Sequence, residues 1–344
     1  MKGLTVALDE IGGREAAALI RDGLLDDLLI DSDAPRPGTI YRGIAERPVK
    51  GQGGMFLRTP DGSAFLRQVK GLVPGQALLV QVTGFAEPGK AIPVTQNVLF
   101  KSRYAIVTPG KPGVNVSRAI KDDAARDAAM EAAHDGFAEA ELPEGAGLIL
   151  RSSCAEASQD EITEDVIAMC QLAAHVLADE GREAETLVEG DGPHALAWRE
   201  WVEAAEVDPD PGSFARHGAD EMIDDLRGAH VRLPGGYSMI IEPTSALVAV
   251  DVNTGGDTSP AAGLKANLAA MRDLPRQMRL RGLGGQIIVD PAPCPKKDRK
   301  QLEGLLRAGF KKEATESVLT GWTTLGLMEI QRKRDRQPLK GLLK

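Results

Sequence analysis

Two aspartates and an asparagine are the residues of this chain whose types and spacing best suit chemistry. Leu247-Val248-Ala249-Val250-Asp251 and Gln286-Ile287-Ile288-Val289-Asp290 are apolar, β-branched runs, and each ends in a carboxylate. Such runs, bounded by glycine and polar residues, read as buried strands. Asn253 lies two residues beyond Asp251 and so alternates back to the same strand face. Two carboxylates and an amide oxygen form a hard, all-oxygen donor set of the kind Mg²⁺ takes while keeping several waters. A single Asp after a strand more often caps a helix or forms a turn. The pair, with Asn253, is what raises this stretch above that reading. Thr254-Gly255-Gly256-Asp257 adds a flexible turn able to approach a phosphate, a weak signal by itself.

The elements that position these groups follow from the chain between them. Leu264, Leu268, Met271, Leu274 and Met278 recur at helical spacing, which predicts a helix over 262–281. Pro275 is expected to kink it, and Gly282 to Gly285 to end it. Strand, helix and strand make a βαβ unit whose strands run parallel, placing both aspartates at the carboxyl edge of one sheet. Upstream, 237–242 and 246–251 read as a hairpin about Pro243-Thr244.

These residues carry a resemblance. Ala249-Val250-Asp251-Val252-Asn253, Asn267-Leu268, and the run from Arg276 through Arg281-Gly282-Leu283-Gly284-Gly285 to Asp290 resemble the catalytic core of the ribonuclease E/G family of endoribonucleases. The resemblance implies that Asp251 and Asp290 bind one Mg²⁺ and that Asn253 positions the attacking hydroxide or the RNA. It extends over about residues 1 to 340. It implies an α/β, multi-subdomain fold: a ribonuclease-H-like part (1–35, continued with helical and sensor residues over 119–230), an inserted S1-type OB barrel (36–118) and a DNase-I-like catalytic part (231–344).

The residues support parts of this on their own. At the start, Leu4 to Leu8 reads as a strand, Gly12 to Arg21 as a short helix and Leu28 to Ile30 as a strand. From 35 to 118, glycine and proline punctuate about five short strands (39–43, 54–57, 63–66, 77–82 and 105–107), which suggests a small barrel. Phe56 and Phe65 fall on neighbouring strands, with Lys50, Arg58, Arg67 and Lys70 close in sequence. Aromatic rings on such a barrel either stack on bases or fill its core, and composition leaves both open. Gly147 to Leu150 reads as a buried strand that delivers Arg151, Ser152 and Ser153. An arginine there suits a terminal phosphate through its planar donors, or makes an ordinary ion pair. By resemblance, Arg151 and Ser152 form a sensor for an RNA 5′ monophosphate, with Ile106 nearby; the family pattern has Thr where Ser152 stands. Ile162, Val166, Met169, Leu172 and Val176 form a helical stripe that reads as core.

The 344 residues are 42% hydrophobic with a net charge of −9, so RNA would need local basic patches rather than a general positive coat. From Lys296 onward Lys and Arg outnumber acids. With Arg272, Arg276, Arg279 and Arg281 they are expected to surround the metal site, Arg279 and Arg281 as RNA contacts. No apolar run approaches about eighteen residues and no leader pattern follows Met1, so a cytoplasmic location without a membrane segment is expected. Cys154, Cys170 and Cys294 make no CxxC, and the five histidines have no metal-ligand spacing. No zinc is therefore expected, and no subunit joint through cysteine and zinc. By resemblance a Glu is expected where Ser245 stands, and an Asp where Pro293 stands. The expected activity is Mg²⁺-dependent cleavage of single-stranded RNA in processing or decay, stimulated by a 5′ monophosphate. The alternative is an RNA-binding regulatory module with a weak or inactive nuclease site.

Overall fold

A computed structural model describes residues 3–49, 53–67, 71–87 and 89–343. Lys50 and Lys70 lie outside them. The chain forms two compact units, one of residues 1–32 with 205–344 and one of residues 33–204. The fold is mixed α/β.

In the first unit a six-stranded sheet carries the aspartates. Its order is His230–Leu233, Tyr237–Pro243, Val248–Asn253, Gly285–Asp290, Met328–Arg332, Ser317–Trp322. The Val248–Asn253 and Gly285–Asp290 strands are its parallel pair, and their other neighbours are antiparallel. The connection between the two is helix Ala262–Leu280, as the apolar spacing predicts. It stays helical through the buried Pro275. Gly282 ends it at φ +60°, where the Leu283 amide returns to the Met278 carbonyl at 2.9 Å. That is the glycine stop expected of a left-handed cap. This helix and helix Arg299–Phe310 bury Val250, Val252, Ile287 and Val289 against Met271, Leu274, Met278 and Leu306.

The same unit holds a four-stranded sheet ordered Glu206–Asp208, Leu4–Ile11, Arg14–Arg21, Leu24–Ile30. The helix expected over 12–21 is instead a strand. Gly12 and Gly13, both at positive φ, make a two-residue hairpin turn that pairs Ile11 with Arg14. Ala16, Ala17 and Ala18 are all fully buried, so tertiary packing overrides alanine's helical preference.

In the second unit, Ile40–Val49, Gly54–Thr59, Gly62–Leu66, Ile92–Thr95 and Ala77–Val82 pair in that order, and the last pairs back to the first. This is a closed five-stranded barrel consistent with an OB-type fold. Ile92–Thr95 is the barrel strand that the sequence pattern does not predict, because Pro93 interrupts it. Ala105–Thr108, expected in the barrel, pairs instead with Gly147–Leu150 in a separate four-stranded sheet. Helices Asp123–Glu139 and Gln159–Leu177 pack in that sheet's core, the latter through Ile162, Val166, Cys170 and Val176.

Candidate active site

Asp251 and Asp290 are direct register partners on adjacent parallel strands. Their Cα atoms are therefore about 4.8 Å apart. Alternation puts Val250, Val252 and Val289 against the helices and both aspartates on the opposite, exposed face. Asp290 ends its strand, while Asp251 precedes the end of its own by two residues. Asn253 returns to the same face, and its Nδ2 donates to Asp251 Oδ2 at 2.8 Å. No hydrogen bond or ion pair ties the Asp290 side chain to a described residue, and it stands exposed at the strand end. Among the described residues no three His, Cys, Asp or Glu side chains gather into a protein-only metal cage. Two exposed carboxylates with an amide beside them fit Mg²⁺, which keeps water in its remaining positions.

Loops on either side are held in place. Asn267, fully buried on the connecting helix, donates through Nδ2 to the Ala292 carbonyl at 2.8 Å. Its Oδ1 accepts from the Ala292 amide at 2.9 Å. Both polar groups of the residue two beyond Asp290 are thus fixed by one side chain. Gly263 lets the helix start lie against the same loop: a Cβ there would sit 2.0 Å from the Pro293 carbonyl oxygen. The turn after Asn253 is also anchored rather than flexible. Asp257 accepts from Tyr237 Oη and from the Ser259 amide, both at 2.8 Å. These bonds, the Ser259 amide foremost, hold its carboxyl down at about 2.

Arg279 and Arg281 do not face the aspartates' side of the sheet. Arg279 donates to the Asp26 carbonyl and carboxylate and pairs with Glu313. Arg281 is buried and donates to the Leu226 and Gly228 carbonyls at 2.8 and 2.6 Å. Arg332 is also buried, bonded to Ser317 and Glu313, and Arg336 pairs with Asp27. These arginines join strands and turns of their own unit, so nothing in this arrangement supports RNA contact by Arg279 or Arg281. Lys296, Lys297 and Lys300 remain exposed after the Asp290 loop.

On the barrel, Phe56 and Phe65 are register partners, half-buried, with ring centroids 5.2 Å apart. The barrel core is built from Tyr41, Met55, Leu57, Leu66, Val80 and Val94, so the two rings lie on its outer surface. Arg47 covers Phe56 at 5.0 Å. Gly54 makes room for Phe65, whose ring atom would lie 2.3 Å from any Cβ there. Arg151 leaves its strand into a group of charges. Its guanidinium donates to the Ser102 carbonyl at 2.5 Å and to Glu200 Oε2 at 2.8 Å. Glu200 also accepts from Arg199 and pairs with Lys101, each at 2.7 Å. Burial alone would raise its carboxyl, but Lys101, Arg151 and Arg199 outweigh it and hold it down at about 2. Ser152 is exposed beside this cluster.

A family model described as the Ribonuclease E/G family matches residues 100–207 and 194–335. The chain belongs to the ribonuclease E/G family. It is 26% identical to ribonuclease G of Salmonella typhimurium (strain SL1344) and to ribonuclease G of Escherichia coli (strain K12), covering 95% of this chain and 79% of each relative. Ribonuclease E of Escherichia coli (strain K12) is 27% identical over 76% of this chain and 28% of its own length. The protein is accordingly an enzyme of the nuclease class. No helix of the described residues is long and apolar enough to cross a membrane.

The two departures from the family pattern sit differently. Ser245 is in the turn at the far end of the Asp251 strand, six residues away, so a carboxylate there would stand well apart from the aspartates. Pro293 is exposed in the loop that Asn267 holds, close to Asp290. Asn267 is part of the resemblance, but its tie to the Ala292 backbone is not visible in the sequence, and Gly263 and Gly54 carry no signal there, because each depends on which group arrives beside it.

Proposed function

We propose that this ribonuclease E/G family member is a Mg²⁺-dependent endoribonuclease that hydrolyses single-stranded RNA in processing or decay. The observation that carries the proposal is the register pairing of Asp251 with Asp290 on an uncovered sheet face, with the Asn253 amide bonded to the Asp251 carboxylate. Asp251 and Asp290 would hold the ion. When bound, Mg²⁺ supplies charge neutralisation at the phosphate and lowers the pKa of a coordinated water. Asn253 fixes the Asp251 carboxylate through Nδ2 and keeps its Oδ1 free to accept a hydrogen bond from the nucleophile. Asn267 holds the loop after Asp290, which keeps that carboxylate in place.

The reading extends to the rest of the chain. Phe56 and Phe65 stack on bases of the bound strand, each contributing about 1–3 kcal/mol. Arg151 and Ser152 receive a 5′ monophosphate in competition with Glu200. In family terms, 36–118 is the S1-type barrel with its sensor flank, and 231–344 the DNase-I-like catalytic region. The test is cleavage of an end-labelled single strand with Mg²⁺ and with chelator. Internal cuts that require the ion support the proposal; RNA that binds but stays intact would favour a regulatory RNA-binding module.

A further inference from the structure

The open face of the six-stranded sheet can be read row by row from its register. One row runs His230, Ile240, Asp251, Asp290. The next, toward the carboxyl ends of the paired strands, runs Arg232, Ser238, Asn253. On the other side of the aspartates, a row runs Glu242, Ala249, Ile288, Glu329. Val231, Leu233, Met239 and Ile241 alternate to the covered face, so the rows share the aspartates' side.

Arg232 is the one permanent cation that the register places on this face among the described strand residues. It is exposed and makes no hydrogen bond or ion pair with a described residue. Two strand spacings, about 10 Å, separate its backbone from that of Asn253. A long side chain spans much of that distance. The acids of the opposite row repel a polyanion and leave the Arg232 side as the favourable direction.

The geometry points to Arg232 as a phosphate-binding residue of the RNA track, holding a phosphate that flanks the scissile one while the chain crosses the strands over Ile240. A guanidinium meets two phosphate oxygens at once through parallel N–H donors. The inference rests on the reading of Asp251 and Asp290 as the cleavage site.

The test is RNA binding by the full chain in chelator, measured against salt, so that no cleavage is needed. Arg232→Gln is expected to weaken binding of a single strand roughly tenfold and to reduce the slope of log K against log salt by about 0.7, one phosphate's share. Arg232→Lys should retain most of the slope. A methylphosphonate placed at successive positions around the cut site, assayed with Mg²⁺, should weaken wild-type substrate binding at one flanking position and leave Arg232→Gln indifferent there. Thermal melting of both variants at the wild-type temperature confirms intact folding. An unchanged slope and methylphosphonate profile in Arg232→Gln would overturn the assignment. RNA that binds with the expected loss of slope but is never cut would overturn the nuclease reading and keep the phosphate contact. A wild-type protein that fails to bind RNA overturns both.

Discussion

At the scale of single residues, the site is two carboxylates held next to each other by strand register. Asp251→Asn or Asp290→Asn should lower single-turnover cleavage by two or more powers of ten and leave RNA binding in chelator near wild type. Wild-type cleavage by either variant would remove the proposed site. Arg151 is a different case, because its donors are already used by Ser102 and Glu200. A 5′ phosphate must displace the Glu200 carboxylate, so native enzyme should favour 5′-monophosphorylated over 5′-hydroxyl RNA by less than about tenfold, below what a free charge-assisted pair allows. Glu200→Gln should widen that ratio and Arg151→Ala should abolish it; rate ratios on matched substrates decide, and one ratio common to all three proteins would speak against any sensing. Glu200 also sets a pH dependence. Its carboxyl lies near 2 in the fold against an ordinary 4.5. Its contribution to stability is thus full above about pH 5 and is lost as pH falls from 4.5 towards 2. Acid unfolding of Glu200→Gln should accordingly be flatter than wild type through that window.

At the scale of elements, what was legible in the sequence is what local pattern controls. Two apolar runs ending in Asp, a helix-spaced stretch and a glycine stop gave the βαβ unit and its parallel strands. The Arg14–Arg21 strand was not legible, because burial on both faces removes alternation and alanine suggests a helix. Nothing local distinguishes Ala105–Thr108 from the barrel strand Ile92–Thr95, so the pattern alone assigns it to the barrel. The internal ties of Arg279 and Arg281 are not legible in the sequence, because their partners, Asp26, Glu313 and the Leu226 and Gly228 carbonyls, arrive from distant segments. Asn267 joins a helix to the loop after Asp290, and its removal tests that joint. Asn267→Ala leaves the Ala292 amide and carbonyl without partners, which costs about 1–3 kcal/mol. Cleavage should fall about ten- to a hundredfold through misplacement of Asp290, while RNA binding in chelator changes little. A parallel loss of binding and cleavage would instead indicate general unfolding.

At the scale of the whole molecule, cysteine usage bears on assembly. Cys154 and Cys170 are buried in the 33–204 unit, where burial pushes each thiol up to about 11. Cys294 is half-buried in the other unit. We expect purified protein to carry no stoichiometric zinc, with its mass by light scattering unaffected by a zinc chelator; one zinc per two chains, lost together with the dimer, would show a joint made some other way. The register that sets Asp251 beside Asp290 has a thermal consequence as well. Like charges directly opposite one another on neighbouring strands destabilise the pairing. If the pair is the cleavage site, as proposed, keeping it gives up stability, a trade between activity and heat resistance. Asp290→Asn, dead in cleavage, should melt about 1–3 °C above wild type. Millimolar Mg²⁺ should raise the melting point of the wild type and do little for the variant, since only the wild type has a charge repulsion to relieve.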